Sequence, residues 1–331
     1  MPLWILASSH LLLLAPQHPA RDTLRFYAVG DVNLGRTVTW QYLLAGDTLH
    51  PFTALRDTLR AADVLFGNLE SPIAPAGHVY ERTGSWFSAP AVAADALAEA
   101  GFDVVSTANN HTWDAGAAGI RETIRQLDRA GVAHAGTGDV LDAAQRPAVL
   151  ERRGWRLAVF AATLTFNPAP DFAAHRGSRF IAWADSTWLN PAIRRLRQSG
   201  AVDLVVVSIH GGREYAEQPD PAMRELCRDA VTAGADLCLG HHPHVLQPVE
   251  WFHGKPIVFS MGNFIFRQAS PWTDLSAIFE FTIAPDGGIA LQLRPVRADY
   301  QARLAIGAAA DSVRRRVGPV SPPVSTTAST P

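Results

Sequence analysis

Cysteine is scarce in this chain of 331 residues: there are two, and their spacing is not CxxC, which argues against a thiolate metal site. Cys227 falls in an expected helix and Cys238 in the strand after it. They read first as two small buried hydrophobes, with a disulfide in an oxidising compartment as the other reading. Charge of one sign is missing as well. A formal net charge of −2 gives no long-range attraction for nucleic acid or an anionic membrane surface, so no nucleic-acid partner is expected. No apolar run is long enough to span a bilayer as a helix. The stretch from Leu3 to Leu14 is too short, is broken by Ser8, Ser9 and His10, and has no Lys or Arg before it. It reads as an export leader within residues 1–22, with a frayed extension as the alternative, and so favours an extracytoplasmic place, periplasmic or in the cell envelope. Repeats and sharp breaks in composition are also absent. One domain is therefore expected over residues 23–317, followed by a disordered Pro-, Ser- and Thr-rich tail over 318–331.

What is present is an alternation of strand and helix signals with polar clusters at the strand ends. Buried strands are expected at Phe26 to Val29, Val64 to Phe66, Val104 to Ala108, Leu204 to Ile209, Leu237 to Leu239 and Ile257 to Met261. Helices are expected at Thr37 to Leu44, Phe52 to Ala61, Ala91 to Ala100, Ala117 to Ala130, Trp188 to Gln198 and Pro221 to Ala233, several of them stopped by glycine. A hairpin is expected to join Leu275–Ile283 to Gly288–Val296 across Pro285-Asp286-Gly287. The irregular segment from Thr163 to Asp185 reads as a functional loop or lid.

Each buried run opens into polar residues: Gly30-Asp31-Val32-Asn33, Gly67-Asn68-Leu69-Glu70, Asn109-Asn110-His111, His210-Gly211-Gly212-Arg213-Glu214, Gly240-His241-His242-Pro243-His244 and Gly262-Asn263-Phe264. Groups released at the carboxyl ends of several strands converge on one sheet edge in open α/β proteins. Extended geometry through His242-Pro243-His244 would put both imidazoles on one face. With Asp31, Glu70, Asn110 and His210 the inventory is oxygen plus imidazole, which suits Mn, Fe or Zn better than Ca or a structural zinc. One or two such divalent ions are expected. A metal so held lowers the pKa of a water, and a nearby imidazole such as His111 can protonate a leaving group. A turn, a helix cap or a surface Arg213–Glu214 ion pair are the plainer readings of single clusters.

In this order the clusters, with Leu34-Gly35-Arg36, Ser71-Pro72, Asp114, Val245 and Ser260-Met261, closely resemble the CapA family, the poly-γ-glutamate capsule synthesis proteins, over roughly Leu24 to Phe266. The resemblance implies the fold of the calcineurin-type metallophosphoesterases, an α/β four-layer α-β-β-α sandwich. It also implies departures. Those enzymes usually begin with Asp-x-His where this chain has Asp31-Val32-Asn33, and carry a metal-bridging Asp for which Asn68 and Glu70 are the nearest candidates. The family usually reads His-Trp-Gly where this chain has His210-Gly211-Gly212. The ligand candidates are then Asp31, Asn68, Glu70, Asn110, His210, His242 and His244. His111 and His241 are the catalytic candidates, and Asn109, Arg213, Glu214 and Asn263 the substrate-binding ones.

Two functions stay open. One is a component of capsular polymer (poly-γ-glutamate) synthesis or export that binds an anionic polymer beside membrane-bound synthase components. The other is a metal-dependent hydrolase acting on a phosphoester.

Overall fold

Strand β1 (Leu24–Val32) is buried along its length apart from Arg25, as a strand covered on both faces must be. The computed structural model, which describes residues 21–167 and 179–322, places β1 inside the first of two sheets. β2 (Val64–Leu69), β3 (Val104–Ser106) and β4 (Ala133–Ala135) continue from it in parallel. The chain then builds a second sheet from β5 (Ala148–Arg152), β6 (Trp155–Thr163), β7 (Leu204–His210), β8 (Leu237–His241), β9 (Val249–Phe252) and β10 (Lys255–Val258). Its order is β5-β6-β7-β8-β10-β9, parallel at the centre and antiparallel at both edges. The chain returns to the first sheet with β11 (Asn263–Ile265), parallel beside the end of β1. The expected hairpin follows as β12 (Leu275–Ile283) and β13 (Ile289–Arg297), extended by β14 (Arg303–Leu304), all antiparallel.

The core has three layers. Phe26, Phe66, Leu157, Val206 and Leu239 pack between the sheets. Val29, Leu65 and Val105 cover the outer face of the first sheet with Leu97 and Leu127 from the Val92–Ala100 and Gly116–Ala130 helices. Val205, Val207 and Cys238 do the same on the second sheet with Ile193 and Ala230 from the Ser186–Gln198 and Pro221–Ala233 helices. The result is helix, sheet, sheet, helix, the four-layer sandwich that the resemblance implied.

An aspartate immediately precedes each of four parallel strands and ties it to its neighbour at the edge where those strands start. Asp63 gives its N–H to Arg25 O and accepts Arg25 N–H on its carboxylate at 2.8 Å. Asp103 does this with Leu65, Asp203 with Arg156 and Asp236 with Val205, each carboxylate accepting at 2.9 Å. These carboxylates fix register at one edge and leave the opposite edge for chemistry.

Several boundaries differ from expectation. β2 runs on to Leu69, so Asn68 lies within the strand, and Asn263 opens a strand instead of ending one. Thr37 to Leu44 is helical over residues 37–43 as expected, but widens over Thr39–Leu43, with Leu44 N–H on Thr39 O. The Gly307–Val317 helix, which buries Ala310, Val313 and Val317, was not expected. The favoured reading of the cysteines is corrected too. Cys227 and Cys238 are both buried, but bonded to each other, with Cα atoms 5.7 Å apart. The Pro221–Ala233 helix turns back at Gly234 and packs on β8, which brings the two residues face to face. The leader lies outside the described residues except for 21 and 22, the tail except for 318–322, and the Thr163–Asp185 segment over 168–178.

Candidate metal centre

The carboxyl ends of both sheets open on the same edge, and two glycines let the backbones approach there. A Cβ on Gly30 would stand 1.9 Å from Gly262 O, and one on Gly240 1.9 Å from Phe259 O. Asp31 therefore sits in register with Asn68 on one side and Asn263 on the other, and His210 in register with His241.

Asp31 is the hub. His241 Nδ1 lies 3.1 Å from its Oδ1 and His244 Nδ1 3.3 Å from its Oδ2, while Asn68 Nδ2 donates to Oδ1 at 2.9 Å. Glu70 closes the group: its Oε1 is 3.8 Å from His244 Nε2, and its Oε2 accepts from Asn68 at 3.3 Å. His210 receives the Asn68 amide on Nδ1 at 3.2 Å and meets Asn110 Oδ1 through Nε2 at 2.8 Å. Asp31, Glu70, His210 and His241 are fully buried. The His242 and His244 imidazoles do converge, but not through extended backbone. Both residues have left-handed φ, 96° and 59°, and the strained turn between them directs the rings.

Buried polar atoms normally find partners, yet Glu70 Oε1, His241 Nε2 and His242 Nδ1 make no hydrogen bond. Burial pushes the Asp31 carboxyl up, but hydrogen bonds from His241 and His244 outweigh it and hold it well below the usual carboxylate range. Glu70 goes the other way, raised well above its ordinary value by burial and then by the Asp31 charge. Burial lowers His242 to about 4 and drives His210 well below its usual range, so both rings are neutral near pH 7. Unpaired lone pairs, neutral imidazoles and crowded carboxylates are what a divalent cation would satisfy, and the donor set fits one. Ligand atoms of Asp31, Glu70 and His244 lie within 4.8 Å of one another, as do those of Glu214, His242 and His244. Glu214, expected to touch substrate or pair with Arg213, is thus also placed as a ligand candidate.

The cluster opens on a cavity of about 420 Å³ whose wall includes Asn110, His111, Asp114, Glu214 and His244. His111 Nδ1 is 2.7 Å from Asp114 Oδ2, which also accepts the Phe87 N–H at 2.6 Å. Burial raises Asp114 despite the His111 hydrogen bond. The Phe87 ring stacks on the His111 ring with centroids 3.8 Å apart.

Of the expected site residues, Asp31, Glu70, Asn110, His210, His241, His242 and His244 come together, and His111 borders the same space. Asn68 belongs to the cluster but turns its amide nitrogen toward the carboxylates, its Oδ1 accepting from Asn109. Asn109 and Asn263 are buried behind the site. Asn109 ties Asn68 to Leu69 O, and Asn263 Oδ1 meets His244 Nδ1 at 2.9 Å. His241 supports Asp31 and does not line the cavity, and Arg213 is exposed and away from it. Sequence reasoning gave no part to Phe87, and Arg36 entered it only within the Leu34-Gly35-Arg36 stretch of the resemblance. Asp114 was legible only as a companion of His111, three residues away, where a turn brings the two together.

Residues 25–268 match the family model described as bacterial capsule synthesis protein PGA_cap. The PGA biosynthesis protein CapA of Bacillus subtilis is 30% identical over 279 residues, which is 83% of this chain and 72% of that protein. The capsule biosynthesis protein CapA of Bacillus anthracis is 29% identical over 283 residues, covering 85% and 69%. Among solved structures, the sulfate thiohydrolase SoxB of Thermus thermophilus, in complex with glycerol, aligns with 92% of this chain and 61% of its own at 14% identity and a TM-score of 0.46.

Proposed function

The chain belongs to the bacterial capsule synthesis protein family PGA_cap, and from that membership we propose that it serves capsular polymer synthesis or export, with the Asp31 cluster as its working site. The observation that carries this reading is the buried set of Asp31, Glu70, His242 and His244 opening on a cavity large enough for part of a polymer chain. The polymer is an anionic one of the poly-γ-glutamate kind, and the partners are membrane-bound synthase components. No helix among the described residues is long and apolar enough to cross a membrane. An extracytoplasmic place at the cell envelope agrees with the Cys227–Cys238 disulfide, because such bonds persist in oxidising compartments.

Asp31, Glu70, His244, His242 and Glu214 would hold Mn, Fe or Zn, one ion or two. When bound, the ion supplies Lewis-acid polarisation of an oxygen on the ligand. The protein's own groups do the rest. Asn263 and Asp31 fix the His244 ring through Nδ1, leaving Nε2 toward Glu70. Purified wild-type protein should retain a divalent metal on elemental analysis and bind poly-γ-glutamate in equilibrium dialysis. Metal-free protein that ignores the polymer would rule this reading out.

A second reading, hydrolysis of a phosphoester, is favoured by one feature that a mere binding surface does not need. Asp114 holds the His111 ring by Nδ1 at the wall of the cavity, which leaves Nε2 to hand a proton to a leaving oxygen. Such a step is worth roughly 10²–10⁴ in rate. In a screen of phosphoesters with Mn, Fe and Zn, His111→Asn should lower turnover by about a hundredfold or more with metal content unchanged. If the wild type hydrolyses none of them, the binding role stands without the hydrolytic one.

A further inference from the structure

Arg36 is the only Arg or Lys among the described residues of the cavity wall, and nothing above gives it a task. Its guanidinium lies over the Phe87 ring, 5.2 Å from the centroid. Phe87 in turn stacks on His111 and meets Phe266 at its edge. Guanidinium and imidazole thus both lie against the Phe87 ring at the cavity wall. The cavity's carboxylates are engaged elsewhere, Asp114 with His111 and the Phe87 N–H, Glu214 beside His242 and His244. Arg25, Arg156 and Arg197, by contrast, all face an aspartate. Among the described residues no carboxylate pairs with Arg36.

The backbone gives a second observation. Arg36 has φ 53°, in the left-handed region that non-glycine residues avoid. Gly35 N–H on Asn33 Oδ1 at 2.9 Å and Trp40 N–H on Arg36 O at 3.1 Å hold the turn in that shape. Strain of this kind persists where the direction of a side chain matters, and here it sets a guanidinium on the cavity wall. With its Cζ held over the Phe87 ring and no carboxylate paired with it, the group keeps N–H donors for an incoming partner, and their fork matches a carboxylate or phosphate.

We propose that Arg36, laid on Phe87, is an oxyanion-binding position of this cavity. It takes a carboxylate or phosphate of the substrate and so orients the neighbouring part of the molecule toward His111 and the Asp31 cluster. The proposal rests on the cluster being the working site, and it adds the residue that takes the anionic group of what enters. A chain of γ-linked glutamate supplies one carboxylate per residue, and a phosphoester supplies the same chemistry from another source.

The test is calorimetric titration of the full-length, metal-loaded protein with γ-linked triglutamate, inorganic phosphate and neutral γ-linked triglutamine. The wild type is expected to bind one of the two anions at least tenfold more tightly than the neutral peptide, and the anion preferred identifies the source. Arg36→Gln should lose at least tenfold in affinity for that anion, with metal content and melting temperature unchanged. Arg36→Lys should recover part of the loss, since it keeps the charge without the fork. Unaltered anion affinity in Arg36→Gln overturns the proposal, as does a wild type with no preference for either anion over the neutral peptide. Failure of the underlying reading gives a separate signal, a wild-type protein without bound metal, and the same titrations on that protein still decide the role of Arg36.

Discussion

His244 belongs to both candidate ligand groups, with Asp31 and Glu70 in one and with His242 and Glu214 in the other. Removing its imidazole therefore weakens every arrangement of ions the cluster could hold. His244→Ala should retain less than about a tenth of the wild-type metal on elemental analysis, with little change in the circular dichroism spectrum. Asn263→Ala leaves the ligands in place but frees the His244 ring to turn, and should lower metal affinity by about 10–100-fold in competition with a chelator. Equal metal retention in wild type and both variants would remove His244 and its support from the site. The sequence makes the ligands legible through strand polarity, since a polar residue at the end of a buried run can reach only one edge. The support was less legible. Asn263 read as a substrate-binding group or a plain turn because its tie to His244 spans 19 residues, and Arg36 and Phe87 come together only through a contact that joins two separate loops.

Between the strands, the aspartates make a case that spacing alone did not show. Asp103 and Asp203 stand immediately before buried strands, an odd place for a charge until the neighbouring strand's free N–H is counted. The carboxylate satisfies a donor that the parallel ladder has left open at its edge. Burial raises Asp63 and Asp203, but hydrogen bonds from Arg25 and Arg156 outweigh it, and both end below the usual carboxylate value. The sign follows. A depressed folded pKa stabilises above the unfolded value, about 3.9, and that stability is lost as the pH falls through the folded value. Asp203→Asn should cost about 1–2 kcal/mol in urea unfolding at pH 7, and its stability should converge with that of the wild type as the pH falls from the unfolded value through the depressed folded one. A difference that stays constant with pH would mean that packing, and not the charge, is lost. Where β7, β8 and their helices would lie was plain from apolar runs bounded by Pro221 and Gly234. The pairing of Cys227 with Cys238 was not, because it depends on the side of the helix that faces the strand. Denatured, unreduced protein should show no free thiol with a thiol reagent, and reduction should lower the melting temperature, since even a short closed loop contributes about 3 kcal/mol.

At the scale of the whole molecule, the candidate ligands are divided between the sheets. Asp31 is the next-to-last residue of β1 and Glu70 follows β2 in the first sheet, while His242, His244 and Glu214 leave β8 and β7 of the second. Between them lies an apolar layer, and just as Arg152 and Asp103 meet at the other edge, polar groups of the two halves meet at the carboxyl-end edge in the cluster. A cation there would join the sheets, and without it the raised Glu70 and the unpaired His241 and His242 nitrogens are desolvated with nothing in return. Binding to the folded chain alone stabilises it by about 2.7 kcal/mol at a hundred times the dissociation constant. Chelator-treated protein should therefore melt several degrees lower than protein refilled with Mn or Zn. The shift should appear as movement of one cooperative transition, because the residues that would hold the ion come from both sheets. In His244→Ala the melting temperature should not respond to added metal. A metal-induced shift of wild-type size in that variant, or a melt that splits into two on chelation, would show that the sheets are not joined through this cluster.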